Sequence, residues 1–369
     1  MSIKRLALAG LVVGTSLLVG APVHAAGNDY TVQAVMPASQ IDKTNASYFD
    51  MQLQPGQTES LTVNLANTSD KTITVDVNKG TAGTQLGGVV DYVASTGFDK
   101  TLAAKIGDGI EVTDKVTLAP KETKAVTAKV TMPTVPTNGI YVGGLKFTEE
   151  GQDSDSGSEN GMHISGLFSY AVAILARNTT SNNDAADTLT PNGVRLVSKS
   201  GISSIATNII NPKAALLNRL EIVGRVVDPS GQVYMSQTKK MMQMAPNSNF
   251  DFMMTSKGEE IKAGKYLAKY TAFWSQDENG QYADAKGTRF DYTKTWEQEV
   301  TVTADQAKKF NAADTAIQAK NSIPVWVWII GGILLLLILI IIFLIWFILF
   351  KRRKDKDEEE RKENMAKLK

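Results

Sequence analysis

The stretch Pro324–Phe350, PVWVWIIGGILLLLILIIIFLIWFILF, carries no charged residue and is followed at once by Lys351, Arg352, Arg353 and Lys354. As a helix it would be about 40 Å long, more than the ~30 Å hydrocarbon core of a bilayer requires. A helix this apolar on every side does not suit the surface of a water-soluble fold, so the stretch is predicted to cross a membrane and contact its lipid. Trp326 and Trp328 near one end and Trp346 near the other fall where interfacial aromatics are favoured. The basic cluster marks the cytoplasmic side, which places the preceding chain outside the cell.

The other end of the chain agrees. Lys4 and Arg5 precede an apolar run, Leu6–Val19, too short to span comfortably, and Ala21-Pro22-Val23-His24-Ala25 ends in small residues. This is the pattern of a secretory signal peptide, residues 1–25, cut after Ala25 or Ala26. The expected product is a single-pass type I membrane protein with most of its chain extracellular.

Composition then removes whole classes of chemistry. There is no cysteine, so disulfides, thiol nucleophiles and Cys-based zinc sites are excluded, and the extracellular part must be held by core burial. That style fits a bacterial surface better than an animal one. Of the two histidines, His24 leaves with the signal peptide, and His163 is then the single imidazole. No catalytic residue, metal ligand or cofactor is assigned. Ser165 lies near His163, but no nucleophile-elbow glycine pattern surrounds it. The predicted outer region is mildly acidic and offers no basic field to attract nucleic acid.

From Tyr30 onward the apolar period is two. Leu61, Val63 and Leu65 alternate with polar residues, and so do Ile73, Val75 and Val77 after a short polar loop; the two runs read as an antiparallel hairpin. Further runs end at turn residues, and Gly143-Gly144 suggests a bulge or close backbone approach. The fold class expected is all-β: two tandem immunoglobulin-like β-sandwich domains, with a signal peptide and one C-terminal transmembrane helix. The divisions are a first sandwich over 28–180, a linker over 181–192 and a second sandwich over 193–303. A helical stalk over 304–322, the span over 324–350 and a charge-dense cytoplasmic tail over 351–369 complete the chain.

Three features invite a chemical reading. The carboxylates of 149–159 match calcium-loop spacing poorly and suit a mobile hairpin loop. Met241, Met242, Met244, Met253 and Met254 form a thioether-rich group that packing explains better than copper binding. Aromatics concentrate in the second domain, and the alternation Tyr266, Ala268, Tyr270, Ala272 marks several as core. Trp274, Tyr282 and Tyr292 flank the loop around Asn279-Gly280; they are the ligand-contact candidates, expected to be exposed.

The order of pieces in the first domain supports a family resemblance. Tyr48-Phe49-Asp50-Met51, Gln54-Pro55-Gly56-Gln57, Leu118-Ala119-Pro120 and Gly139-Ile140-Tyr141-Val142-Gly143-Gly144, in this arrangement of signal, sandwiches, span and tail, resemble the WxL-interacting proteins of Gram-positive bacteria. The resemblance implies peptidoglycan binding by the first domain and binding of host extracellular-matrix components by the second. It further implies assembly with WxL-domain surface proteins. The expected function is a non-enzymatic, membrane-anchored adhesion scaffold of the cell wall; a cell-wall hydrolase and a membrane sensor of wall ligands are the competing readings.

Overall fold

The computed structural model describes residues 29–44, 47–151, 168–179, 186–321 and 325–366. The signal peptide with Ala25 and Ala26, His163, Ser165, most of the 149–159 loop and the first part of the linker lie outside them. The chain divides into two compact units. One comprises 1–190 with 210–218 and 243–250; the other comprises 191–209, 219–242 and 251–369.

The first unit is a sandwich. One sheet runs β1 (Tyr30–Val35), β3 (Thr58–Asn67), β8 (Thr123–Thr131), β6 (Ile110–Glu111). The other runs β2 (Phe49–Gln52), β10 (Ser169–Arg177), β9 (Tyr141–Glu149), β4 (Ile73–Gln85), β5 (Val89–Ala94), with β7 (Lys115–Leu118) also on β4. Alternation builds the core as expected: Leu61, Val63 and Leu65 of β3 and Val75 and Val77 of β4 are buried in one cluster.

The hairpin reading of β3 and β4 is corrected. They pair with different partners in opposite sheets, β3 with β1 and β8, β4 with β5, β7 and β9. The buried Asn67 makes the corner between them. Its amide donates to the carbonyls of Lys71 (2.8 Å), Ala119 (2.9 Å) and Leu118 (3.3 Å), and its oxygen accepts from the Ser69 amide (2.9 Å). These bonds satisfy backbone groups that a chain leaving its sheet would otherwise strand.

The motif residues of this unit prove to be structural. Phe49 and Met51 are fully buried, and Asp50 accepts a bidentate pair from Arg177 (3.0 and 2.9 Å). That pair ties β2 to β10, its parallel neighbour. Gly56 sits at φ 76°, the left-handed region, after Pro55, and Gln57 closes the turn by accepting from Gln54 N (2.9 Å). Gly144 is a close-approach position: a Cβ there would lie 2.7 Å from Tyr92 Cβ and 2.8 Å from Val172 O.

The second sandwich has a sheet of β11 (Thr190–Lys199), β12 (Ile202–Asn211) and β15 (Ser248–Thr255). The facing sheet is β14 (Val233–Met244), β13 (Leu217–Val227), β16 (Gly264–Gln276), β18 (Arg289–Val302) and β17 (Tyr282–Ala283). Among the methionines, Met242, Met244 and Met254 are buried, whereas Met241 is exposed.

The segment expected as a stalk is docked instead. It forms α1 (Ala304–Ala313) and α2 (Thr315–Asn321), with Phe310 and Ile317 buried. Thr303 and Gln306 cap α1 reciprocally. Asp314, itself buried, accepts from Ser203 N (3.1 Å), Ser256 Oγ (2.9 Å), Ala316 N (3.0 Å) and Ile317 N (3.1 Å). The Ala/Lys-rich composition concealed the two apolar anchors that fix it. Beyond it α3 runs Val325–Ala366, straight through Lys351–Lys354 and most of the tail.

Candidate binding site

In the first unit, the 3-10 turn Ile106–Gly109 lies on β4 so closely that a Cβ on Gly107 would fall 2.5 Å from the Gly80 carbonyl carbon, while a Cβ on Gly80 itself would meet Val93 of β5 at 2.8 Å. The turn is fixed by Gly107 N donating to the buried Thr81 Oγ1 (2.9 Å). Beside it opens a cleft of about 480 Å³ lined by Lys79, Thr81, Ser95, Phe98, Lys105 and Asp108, among others. Lys105 holds its Nζ 4.6 Å from the centroid of the Phe98 ring, a cation–π distance. Lys79 donates to the Ile110 carbonyl. Sequence reasoning missed this cleft, because its residues come from β4, the chain after β5 and the 3-10 turn.

In the second unit the three aromatic candidates do not form one exposed surface. Trp274 is 2% exposed. It continues the inward alternation of Tyr266, Ala268, Tyr270 and Ala272 along β16, and it stacks on Tyr292 at 5.6 Å and 22°. Its expected exposure is therefore corrected. Tyr292 is half-buried above it, in register across the strand pair. Tyr282 alone stands out, 41% exposed on β17.

Tyr282 stands on a braced hairpin tip. Ser275, at φ 56°, lies between the pairs Trp274↔Tyr292 and Gln276↔Phe290, and the register continues across it. Arg289 Nη1 donates to Gly280 O (3.0 Å), and a shallow cleft of about 300 Å³ lies among Gln276, Asp277, Glu278, Gly287, Thr288 and Arg289. Two residues past Tyr282, Asp284 receives Lys240 Nζ (2.7 Å), which also reaches the buried Glu221 (2.8 Å). That ammonium, with the Thr288 and Lys286 amides, holds the Asp284 carboxyl below the usual carboxylate range against the upward push of burial.

Comparison with known proteins now decides the family. Residues 30–149 match the WxL Interacting Protein peptidoglycan binding domain, and residues 159–312 match the WxL Interacting Protein host binding domain. The chain belongs to the WxL Interacting Protein family. Its two family domains are binding domains rather than catalytic ones. No curated protein matches the sequence. Among solved structures the chain is similar to the Pseudomonas aeruginosa CupB2 chaperone, at 12% identity over 68% of this chain and 97% of that one, with a TM-score of 0.28. It is similar also to the class 5 fimbriae chaperone CfaA (12%, 68% and 95%, 0.25) and the E. coli chaperone DraB (13%, 68% and 93%, 0.25). Likeness at these scores carries no argument about function.

The C-terminal helix supplies the remaining functional element. Val327–Lys354 is long and apolar enough to cross a membrane, and its most apolar stretch is not buried. Trp328 and Trp346 are exposed on it. Trp326 lies on the helix, but its side chain is outside the described set. Among the described residues no group of histidines and carboxylates is arranged to hold a metal.

Proposed function

We propose that the chain is a membrane-anchored surface scaffold. Its first domain binds peptidoglycan, and its second presents a contact surface to a WxL-domain protein or a host matrix ligand. The observation that carries this reading is the order of parts: two matched binding domains followed directly by an unburied apolar helix. In this reading Trp326, Trp328 and Trp346 anchor the span at its interfaces. Lys351, Arg352, Arg353 and Lys354 hold the cytoplasmic end, and cleavage after Ala25 or Ala26 frees the other terminus outside.

The docked α1–α2 segment sharpens the proposal. Asn321 ends α2 and Val325 begins α3, so the connecting chain reaches at most about 14 Å. The second domain is thereby tethered close to the membrane face. Tyr282, on the braced hairpin tip, is its best-placed contact residue.

Two measurements test the reading. Release of the protein from cells by a muralytic enzyme, without detergent, refutes the membrane anchor. Co-sedimentation of the detergent-solubilised full chain with insoluble peptidoglycan is expected, and no enrichment over an unrelated sandwich protein refutes the ligand.

A further inference from the structure

We infer that the cleft beside β4 is the ligand site of the first domain, and that it recognises a carboxylate of the wall polymer through Lys79 and Lys105. This rests on the peptidoglycan reading above and goes beyond it by naming the site and the group read.

The argument begins with charge. Lys71, Lys115, Lys121 and Lys129 of this unit each have a carboxylate within 4 Å. Among the described residues Lys79 and Lys105 have none, as is true also of Lys43, Lys100, Lys124 and Lys146, but Lys79 and Lys105 are distinguished by lining one cleft together. Lys79 is held by a neutral carbonyl and Lys105 by a neutral ring. Both lysines thus line one cleft, two positive charges against the single carboxylate of Asp108, which pairs with neither within 4 Å. A lysine held by neutral partners keeps free donors for an anion and loses little side-chain entropy on binding it.

The rest of the lining fits the same ligand. The exposed Ser95 and half-buried Phe98 offer a hydroxyl and an apolar ring edge, the pairing that suits a polar chain with apolar faces, such as a glycan or short peptide. Asp108 is the one carboxylate of the lining, and it would oppose an anion. Peptidoglycan offers a carboxylate in two ways: on the stem peptide where one is attached, and on the lactyl ether of its sugar where the stem has been removed, because an attached stem holds the lactyl carboxyl as an amide. The two sources share one chemistry, and the experiment separates them.

The full chain in detergent is sedimented with three polymers: purified peptidoglycan freed of phosphate polymers, the same material stripped of stem peptides by an amidase, and chitin. Wild type is expected to bind the first far better than chitin, more weakly as salt rises. The double variant Lys79→Gln/Lys105→Gln is expected to bind at least about tenfold more weakly, because two charge-assisted contacts are lost, and to lose the salt dependence. Asp108→Asn should tighten binding by roughly twofold to fivefold, the scale of one exposed charge, which no misfolded variant would do. Loss of binding on amidase-treated strands assigns the stem-peptide carboxylate; stronger binding to them assigns the lactyl carboxylate that the treatment frees, and undiminished binding shows that the site accepts either. A folded double variant that sediments like wild type overturns the site while leaving peptidoglycan binding intact. A wild-type chain that binds none of the three overturns the underlying reading instead.

Discussion

The two sandwiches share a plan and fill it differently. Each crosses between its sheets at a buried asparagine. Asn67 bonds the Lys71 carbonyl and the Ser69 amide; Asn211, at the end of β12, bonds the Ala215 carbonyl (2.8 Å) and the Lys213 amide (3.2 Å), the same offsets along the chain. The first core is chiefly aliphatic, built on Leu61, Val63, Leu65, Val75 and Leu145 around the rings of Tyr30, Phe49 and Phe147. The second uses more rings, burying Phe250, Phe252, Tyr266, Tyr270, Trp274 and Phe290. There a three-stranded sheet faces a five-stranded one, against four and six strands in the first. Aromatic density in the second domain therefore reports how its core is filled, and only secondarily where a ligand lands.

The sharpest way to break this comparison is to remove one anchor from each core. Trp274→Ala should cost the second sandwich about 3–5 kcal/mol as a buried ring is lost. Arg177→Ala should cost the first a similar amount, about 3–5 kcal/mol, because Asp50 is left buried without its partner. Denaturant unfolding of the full chain, followed by hydrogen exchange in each unit, reads both. If Trp274→Ala left the second unit's protection unchanged, the ring would not be the core element its burial implies.

The shared corner gives the next largest effect. Asn67→Ala and Asn211→Ala should each destabilise by roughly 2–3 kcal/mol, since each strands buried backbone groups. Equal losses support one device used twice. A loss confined to one site would show the common geometry to be incidental.

How far sequence reaches is clearest from these same residues. The strands were legible because Leu61-x-Val63-x-Leu65 and Tyr266-x-Ala268-x-Tyr270 carry a period that burial enforces. The β3–β4 pairing was not, because a short polar loop looks alike whether the chain turns back in its sheet or crosses to the other. Trp274 was within reach: one more step of the Tyr266–Ala272 alternation arrives at it. The cleft was out of reach, since Lys79, Phe98 and Lys105 meet only when the Ile106–Gly109 turn lies on β4. Gly107 permits that approach, and no local period announces it. The α1–α2 segment was half legible; its helical composition is plain, but only tertiary contact buries Phe310 and Ile317.

That segment supplies a smaller, pH-dependent effect. Burial pushes the Asp314 carboxyl up, yet the Ser203 and Ile317 amides, the Ser256 hydroxyl and the Ala316 amide outweigh it, and the group sits below its ordinary value. A depressed carboxylate contributes stability that is fully present above its unfolded pKa, about 3.9, and is lost as pH falls through the folded value. Amides of Ala304–Asn321 should therefore lose exchange protection below about pH 4 before the strands of the second sandwich do. Asp314→Asn should remove the dependence and loosen the segment at neutral pH, because the amide nitrogen would face N–H or O–H donors on either side. Unchanged protection in that variant would mean that Phe310 and Ile317 alone hold the segment.

The smallest effect on stability is the most informative about function. Tyr282 is exposed, stands on a two-residue strand and forms no part of the Trp274–Tyr292 stack, so Tyr282→Ala should change folding by no more than about 0.5 kcal/mol. If the hairpin tip is the contact surface of the second domain, the same change should weaken partner binding at least about tenfold, as loss of an exposed aromatic anchor does. Tyr292→Phe, which keeps the ring over Trp274, should leave binding nearly unchanged. Surface plasmon resonance with a WxL-domain protein, and separately with a matrix protein, distinguishes the two partners. Loss of binding on Tyr292→Phe but not on Tyr282→Ala would move the contact from the tip to the flank of the sheet, where rings that fill the core also meet the ligand.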